Sequence, residues 1–365
     1  MTTPEFNEPE VKGPEFKGPK PTGPEPTGAG QTAPELAGRG SAGSEFTGAG
    51  HLAPEIAGRG SAAAESAASE SVRPQPSVRD LIAAPHPDYA PLPPSAPAAP
   101  GVRETRGVPY AEIDGGRPLE LDLWRPEGDE TGPLPLVLYV HGGAWRRGRR
   151  DDLGMRTRHW KPRPFARIAA EGFAVACVDY RLSGEATFPA PLDDLRAALR
   201  WLALRSAELG VDTARTVVWG ESAGGHLASL LALTHTDPAL AGAVIWYGPS
   251  DLTRPRGGFT PENPETPEAR MLGAAPAAAP ERAREASPVA QVRPVAPPFL
   301  LVHGEQDTMV DCSHSRSLAA ALEQAGADAE LWTVDGADHG WHHLPDDRVE
   351  EIFTRSLAFA ARRVT

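Results

Sequence analysis

From Val102 onward, apolar residues arrive in short, nearly unbroken runs separated by stretches of helical spacing. Runs at Pro118 to Trp124, Leu134 to Val140, Phe173 to Asp179, Thr216 to Gly220, Ala241 to Tyr247, Pro298 to His303 and Glu330 to Val334 predict strands. Several lack polar alternation, which predicts burial on both faces. Between them, Leu192, Leu195, Leu199 and Leu202 fall on one stripe of a helix over Leu192 to Leu209. Gly224 to Leu233, Ser315 to Ala325 and Val349 to Arg362 repeat that period. Strands alternating with helices predict an α/β fold: a mostly parallel sheet of about eight strands flanked by helices, with ligands at the strands' carboxyl ends. The interval Asp251 to Val292 breaks the rhythm with Pro, Ala and Glu, and predicts a short cap insertion over the site.

Before Val102 neither period is present. Glu recurs at Glu5, Glu15, Glu25, Glu35, Glu45, Glu55 and Glu65, and Gly at Gly18, Gly28, Gly38, Gly48 and Gly58. A ten-residue repeat with Pro and Gly in nearly every copy cannot bury enough apolar area to offset the entropy of ordering it, so a disordered N-terminal tail is expected. The tail is either a spacer with regularly placed Phe6, Phe16 and Phe46 or a low-complexity extension. A Pro-rich stretch, Ala84 to Gly101, is expected to link it to the folded part. The expected organisation is therefore a tail over 1–101 and a catalytic domain over 102–365, with 251–292 as the cap.

A net charge of −13 argues against a nucleic-acid partner, because neutralising phosphates needs a broad positive field. The cluster Arg146-Arg147-Gly148-Arg149-Arg150 is the local exception, expected as a solvated loop offset by Asp151 and Asp152. Cys177 and Cys312 have no metal-ligand spacing and are expected as free thiols. Met1 to Glu10 lacks a basic start followed by an apolar stretch, and no run approaches the ~18 apolar residues of a membrane span, so a cytoplasmic location is expected.

The chemistry gathers where strands end. Gly220-Glu221-Ser222-Ala223-Gly224 sits between a predicted strand and a predicted helix, the setting of a nucleophile elbow. Glycine is needed at Gly220 and Gly224 because Cβ atoms there would collide with backbone in so tight a turn. Ser222 then stands at a helix N-terminus that favours developing negative charge. His141-Gly142-Gly143-Ala144-Trp145 follows another strand at the same end of the sheet. Its paired glycines allow close approach to a substrate oxygen, so the amides of Gly142 and Gly143 with that of Ala223 are expected to form an oxyanion hole. His141 is expected to anchor this loop.

A hydroxyl becomes a nucleophile when a base takes its proton and an acid holds the base's tautomer. Asp307 and His339 lie on loops after two later strands, in the order acid then histidine. Asp311 and Glu305 compete for the acid's role, and His342 and His343 for the histidine's. A metal site built on these histidines is disfavoured by the absence of a His-Glu-x-x-His helix or a cysteine pair, and no cofactor is expected.

Together with Asp179-Tyr180-Arg181-Leu182, Phe188-Pro189-Ala190, Ser287-Pro288-Val289 and His303-Gly304-Glu305-Gln306-Asp307, these motifs resemble the bacterial α/β-hydrolases of esterase/lipase type. The likeness is to the acetyl and feruloyl esterase branch, near the hormone-sensitive-lipase and kynurenine formamidase-like groups, and covers Val102 to the C-terminus. It implies the α/β-hydrolase fold, a Ser222, Asp307 and His339 triad, and a cofactor-free serine esterase for short-acyl or small aryl esters. Ala144 stands where the lipase pattern has a third glycine, and Trp145 either walls the acyl pocket or packs under the loop. An arylformamidase or serine peptidase of the same fold, or a catalytically silent binding protein, are the alternatives.

Overall fold

The computed structural model describes residues 85–128 and 132–365. The repeat tail expected to be disordered lies outside them. The described residues hold a nine-stranded sheet in the order β1-β2-β3-β5-β4-β6-β7-β8-β9. The strands are β1 Ala96–Ala99, β2 Val102–Ala111, β3 Leu119–Pro126, β4 Leu134–Val140, β5 Ala174–Val178, β6 Val211–Glu221, β7 Gly242–Trp246, β8 Phe299–Gly304 and β9 Ala329–Val334. From β5 to β9 the pairings are parallel, and β1, β2 and β3 join antiparallel at one side. Every residue of β5, β7 and β8 is buried, which is why their sequences show no polar alternation.

The two-residue period still sorts side chains between two cores. Leu136, Leu138 and Val140 of β4 face one layer, with Leu192, Leu195, Leu199 and Leu202 of α2 (Ala190–Leu204) and Leu227, Leu230 and Leu231 of α4 (Ala223–Thr234). Val137 and Tyr139 face the other, with Phe165 of α1 (Pro164–Ala170) and Ile352, Phe353 and Phe359 of α8 (Asp346–Val364). The helix expected through Leu209 breaks at Arg205. A short turn of helix, α3 (Ser206–Leu209), follows and ends at Gly210 with φ of 63°. No helix among the described residues is long and apolar enough to cross a membrane.

Two expectations need correction. The stretch taken as a linker is folded from residue 85: the Pro87 carbonyl accepts hydrogen bonds from Trp201 Nε1 at 2.9 Å and Arg205 Nη1 at 3.1 Å, and Ala96–Ala99 pairs with β2. Proline is tolerated there because β1 is an edge strand. The Asp251 to Val292 segment forms two short helices, α5 (Pro267–Leu272) and α6 (Pro280–Glu285), and two 3-10 turns. It contributes a single residue, Arg256, to the lining of the cavity at the strands' carboxyl ends. The loop after β4 walls that cavity instead.

Candidate active site

β6 delivers Ser222 with φ of 53° and ψ of −121°, a strained backbone immediately before α4. A Cβ at position 220 would strike the Gly224 carbonyl, and one at position 224 would strike the carbonyls of Val140 and His141. Both glycines are therefore steric requirements of the turn. The Ser222 hydroxyl lies 3.0 Å from His339 Nε2, and His339 Nδ1 lies 2.7 Å from Asp307 Oδ2. Both bonds form together when the ring carries its proton on Nδ1, leaving Nε2 to accept from the serine.

Asp307 is held on every side. Its Oδ1 accepts from the amides of Met309 at 2.9 Å and Val310 at 2.8 Å. Burial would raise its pKa, but the His303 and His339 rings beside it hold the carboxyl well below the usual carboxylate range. His303 is itself fixed, with Nδ1 at 2.7 Å from the Ser315 hydroxyl and Nε2 at 2.8 Å from the Val310 carbonyl. The rivals lie elsewhere. Asp311 accepts from the Ser313 amide at the start of α7 (Ser313–Gln324), and Glu305 pairs with Arg316. His342 and His343 are exposed and stack edgewise on one another.

Asp338, weighed in the sequence only as a partner of His342 and His343 in the disfavoured metal site, has a different role. Its carboxylate accepts from the His339 amide at 2.7 Å and the Thr308 amide at 2.8 Å, tying the loop of the acid to the loop of the histidine. An aspartate beside a loop histidine carries no signal until its partner loop is known.

The loop from His141 to Trp145 departs from expectation at one position. The Gly142 amide donates to Glu221 Oε1 at 3.0 Å, so it is already committed. The amides of Gly143, Ala144 and Ala223 have no acceptor among the described residues, and all three residues line the cavity with Ser222. Glu221 Oε2 takes the Tyr247 hydroxyl at 2.9 Å, and the Tyr247 ring packs edgewise on His339 at 4.7 Å. Burial pushes the Glu221 carboxyl up against the lowering effect of the Tyr247 and Gly142 bonds. One side chain therefore links the elbow, the glycine loop and the wall behind the histidine. His141 stacks on Tyr180 at 4.4 Å and accepts a bond from the Tyr180 hydroxyl through its carbonyl, the anchoring position expected for it.

Trp145 is buried under the loop while still contributing to the cavity wall. Its indole N–H donates to His226 Nδ1 at 3.2 Å, and His226 Nε2 donates to the Ala286 carbonyl at 2.6 Å. Burial pulls His226 down to about 4. The unfolded chain protonates this histidine near pH 6.5, so the neutral ring's contribution is complete above that pH and is lost as pH falls through 4. The window is worth about 3 kcal/mol at most. In denaturant titrations between pH 6.5 and 4, His226→Gln is expected to flatten the fall in unfolding free energy relative to the parent; parallel curves would exclude the effect.

The cavity measures about 480 Å³, within the range of small-molecule sites. Arg147, Gly148 and Arg149 of the arginine-rich loop line it while being exposed to solvent as expected. Arg149 does pair with Asp151 as expected, but Arg150 is mostly buried and pairs with Glu120, Asp122 and Asp179, at 2.9, 2.9 and 2.7 Å, pinning the loop to the sheet.

Comparison with known proteins bears on the family and the fold. The family model described as BD-FAE matches residues 121–322, more than half of the chain. The chain is 32% identical over 233 residues to a probable carboxylic ester hydrolase, LipM, of Mycobacterium tuberculosis, covering 60% of this chain and 51% of that one. It is 32% identical over 269 residues to the esterase LipQ of the same organism, covering 70% and 61%. The chain thus spans about half to three-fifths of the length of these curated relatives. Among solved structures, a truncated carbohydrate esterase from gut microbiota superposes with a TM-score of 0.62 at 23% identity, over 75% of this chain and 99% of that one, and so speaks to the fold. A bifunctional GH43-CE protein of Bacteroides eggerthii gives 0.62 at 27% identity, over 72% and 35%.

Proposed function

Because the chain belongs to the BD-FAE family of α/β-hydrolases, we propose that it is a serine carboxylesterase acting on short-acyl or small aryl esters. The observation that carries the reading is the unbroken contact from Ser222 through His339 to Asp307, opening on a cavity with uncommitted amides beside it. Ser222 Oγ attacks the ester carbonyl carbon as its proton passes to His339 Nε2. The tetrahedral oxyanion takes hydrogen bonds from the amides of Gly143 and Ala223, with Ala144 in place of Gly142 as the further donor. His339 returns the proton to the departing alcohol. Water then gives its proton to His339 and attacks the acyl-enzyme, releasing the acid and restoring Ser222. Asp307 remains ionised and holds the Nδ1 tautomer.

The test is labelling by a fluorophosphonate probe together with turnover of a p-nitrophenyl ester series from acetate to decanoate and of N-formylkynurenine. Stoichiometric labelling and a preference for the short esters are expected. A protein that neither labels nor turns over would be a binding protein on a hydrolase fold, and faster turnover of the formamide would replace the esterase reading.

A further inference from the structure

Four arginines line the cavity: Arg147, Arg149, Arg158 and Arg256. Three already hold a carboxylate. Arg149 Nε is 2.9 Å from Asp151, Arg158 Nε is 2.9 Å from Asp152, and Arg256 pairs with Glu268. The guanidinium of Arg147 is exposed and has no acceptor among the described residues. Nor do the cavity's own acids supply one, since Asp152 is paired and both oxygens of Glu221 are taken by Gly142 and Tyr247. The root of Arg147 is fixed: the amides of Arg146 and Arg147 both donate to the Gly143 carbonyl, at 3.1 and 3.2 Å, and the Gly143 backbone packs so tightly on the Arg147 carbonyl that a Cβ would overlap it. An unspent forked donor is therefore carried by a residue whose backbone is fastened to the glycine loop. Met155 and Met309, each about half exposed, line the same cavity.

Resting on the esterase reading above, we propose that Arg147 selects esters whose alcohol portion carries a carboxylate remote from the scissile bond. A planar guanidinium matches a carboxylate bidentately, and the methionine side chains that line the same cavity suit the aryl or alkyl spacer between that carboxylate and the ester. The alcohol departs while the acyl group is still bonded to Ser222, so its way out leads to solvent, to which Arg147 is exposed.

The measurement is kcat/KM for 4-acetoxybenzoate divided by that for its neutral methyl ester, methyl 4-acetoxybenzoate, in the parent, Arg147→Gln and Arg146→Gln. Taking the change in this ratio between proteins cancels the different intrinsic reactivities of the two esters. Arg147→Gln is expected to lower the ratio about fivefold or more, chiefly through KM for the anion, and about 0.5 M salt should narrow the difference. Arg146→Gln deletes the same charge one residue away, outside the cavity lining, and is expected to leave the ratio within about twofold. An unchanged ratio in Arg147→Gln, or an equal fall in both variants, overturns the proposal. A parent that hydrolyses neither ester and takes no fluorophosphonate label overturns the esterase reading itself.

Discussion

Alanine at Ser222 is expected to lower kcat for p-nitrophenyl acetate by about 10⁴-fold or more while leaving the thermal unfolding midpoint within a few degrees. Among the described residues the hydroxyl makes one side-chain hydrogen bond, to His339, and no other serine hydrogen-bonds to that ring. Removing it deletes the nucleophile without emptying a packed volume. The backbone at position 222 is no obstacle, since Ala144 already holds φ of 55° in the same protein. Turnover that survives the change, with contaminating esterase excluded by the labelling probe, would remove Ser222 from the mechanism.

Asp307 and Asp311 separate just as sharply. Asp307→Ala is expected to cost roughly 10³- to 10⁴-fold in kcat, because His339 loses the partner that fixes its tautomer and stabilises its protonated form. Asp311→Ala should leave kcat within a few-fold. Its loss falls on stability, about 1 kcal/mol, since its carboxylate bonds the Ser313 amide where α7 begins. Steady-state kinetics and thermal melts on the two variants check both halves, and comparable kinetic losses would mean that Asp311 can approach the histidine.

Much of this was legible in the sequence for definite reasons. Strands β4, β5, β7 and β8 are buried on both faces, so they announce themselves as apolar runs whose limits fall within a residue or two of those expected. Ser222, Asp307 and His339, which the structure brings into contact, could be picked out because each follows a strand and they come in that chain order. β2 was missed because Glu104 points inward and Gly107 and Pro109 interrupt its alternation, with two register shifts against β3. The commitment of the Gly142 amide was invisible for another reason: its acceptor, Glu221, comes from a motif 79 residues away. Arg150 looked like solvated surface because its three carboxylates arrive from β3 and from the residue just after β5, which local charge counting does not bring together.

The edge strand Ala96–Ala99 has a consequence for how the molecule behaves in concentrated solution. It is four residues long, contains Pro97 and is followed by Pro100, so it offers few free amides to a neighbouring molecule. A chain shortened to begin at Val102 would strip it away and unpair the outer flank of β2 over Val102 to Glu104, the three residues it covers. Such an edge is a template for edge-to-edge aggregation. The proline-rich stretch thus guards the start of β2, ending that part of the edge in a strand that a second copy can hardly extend.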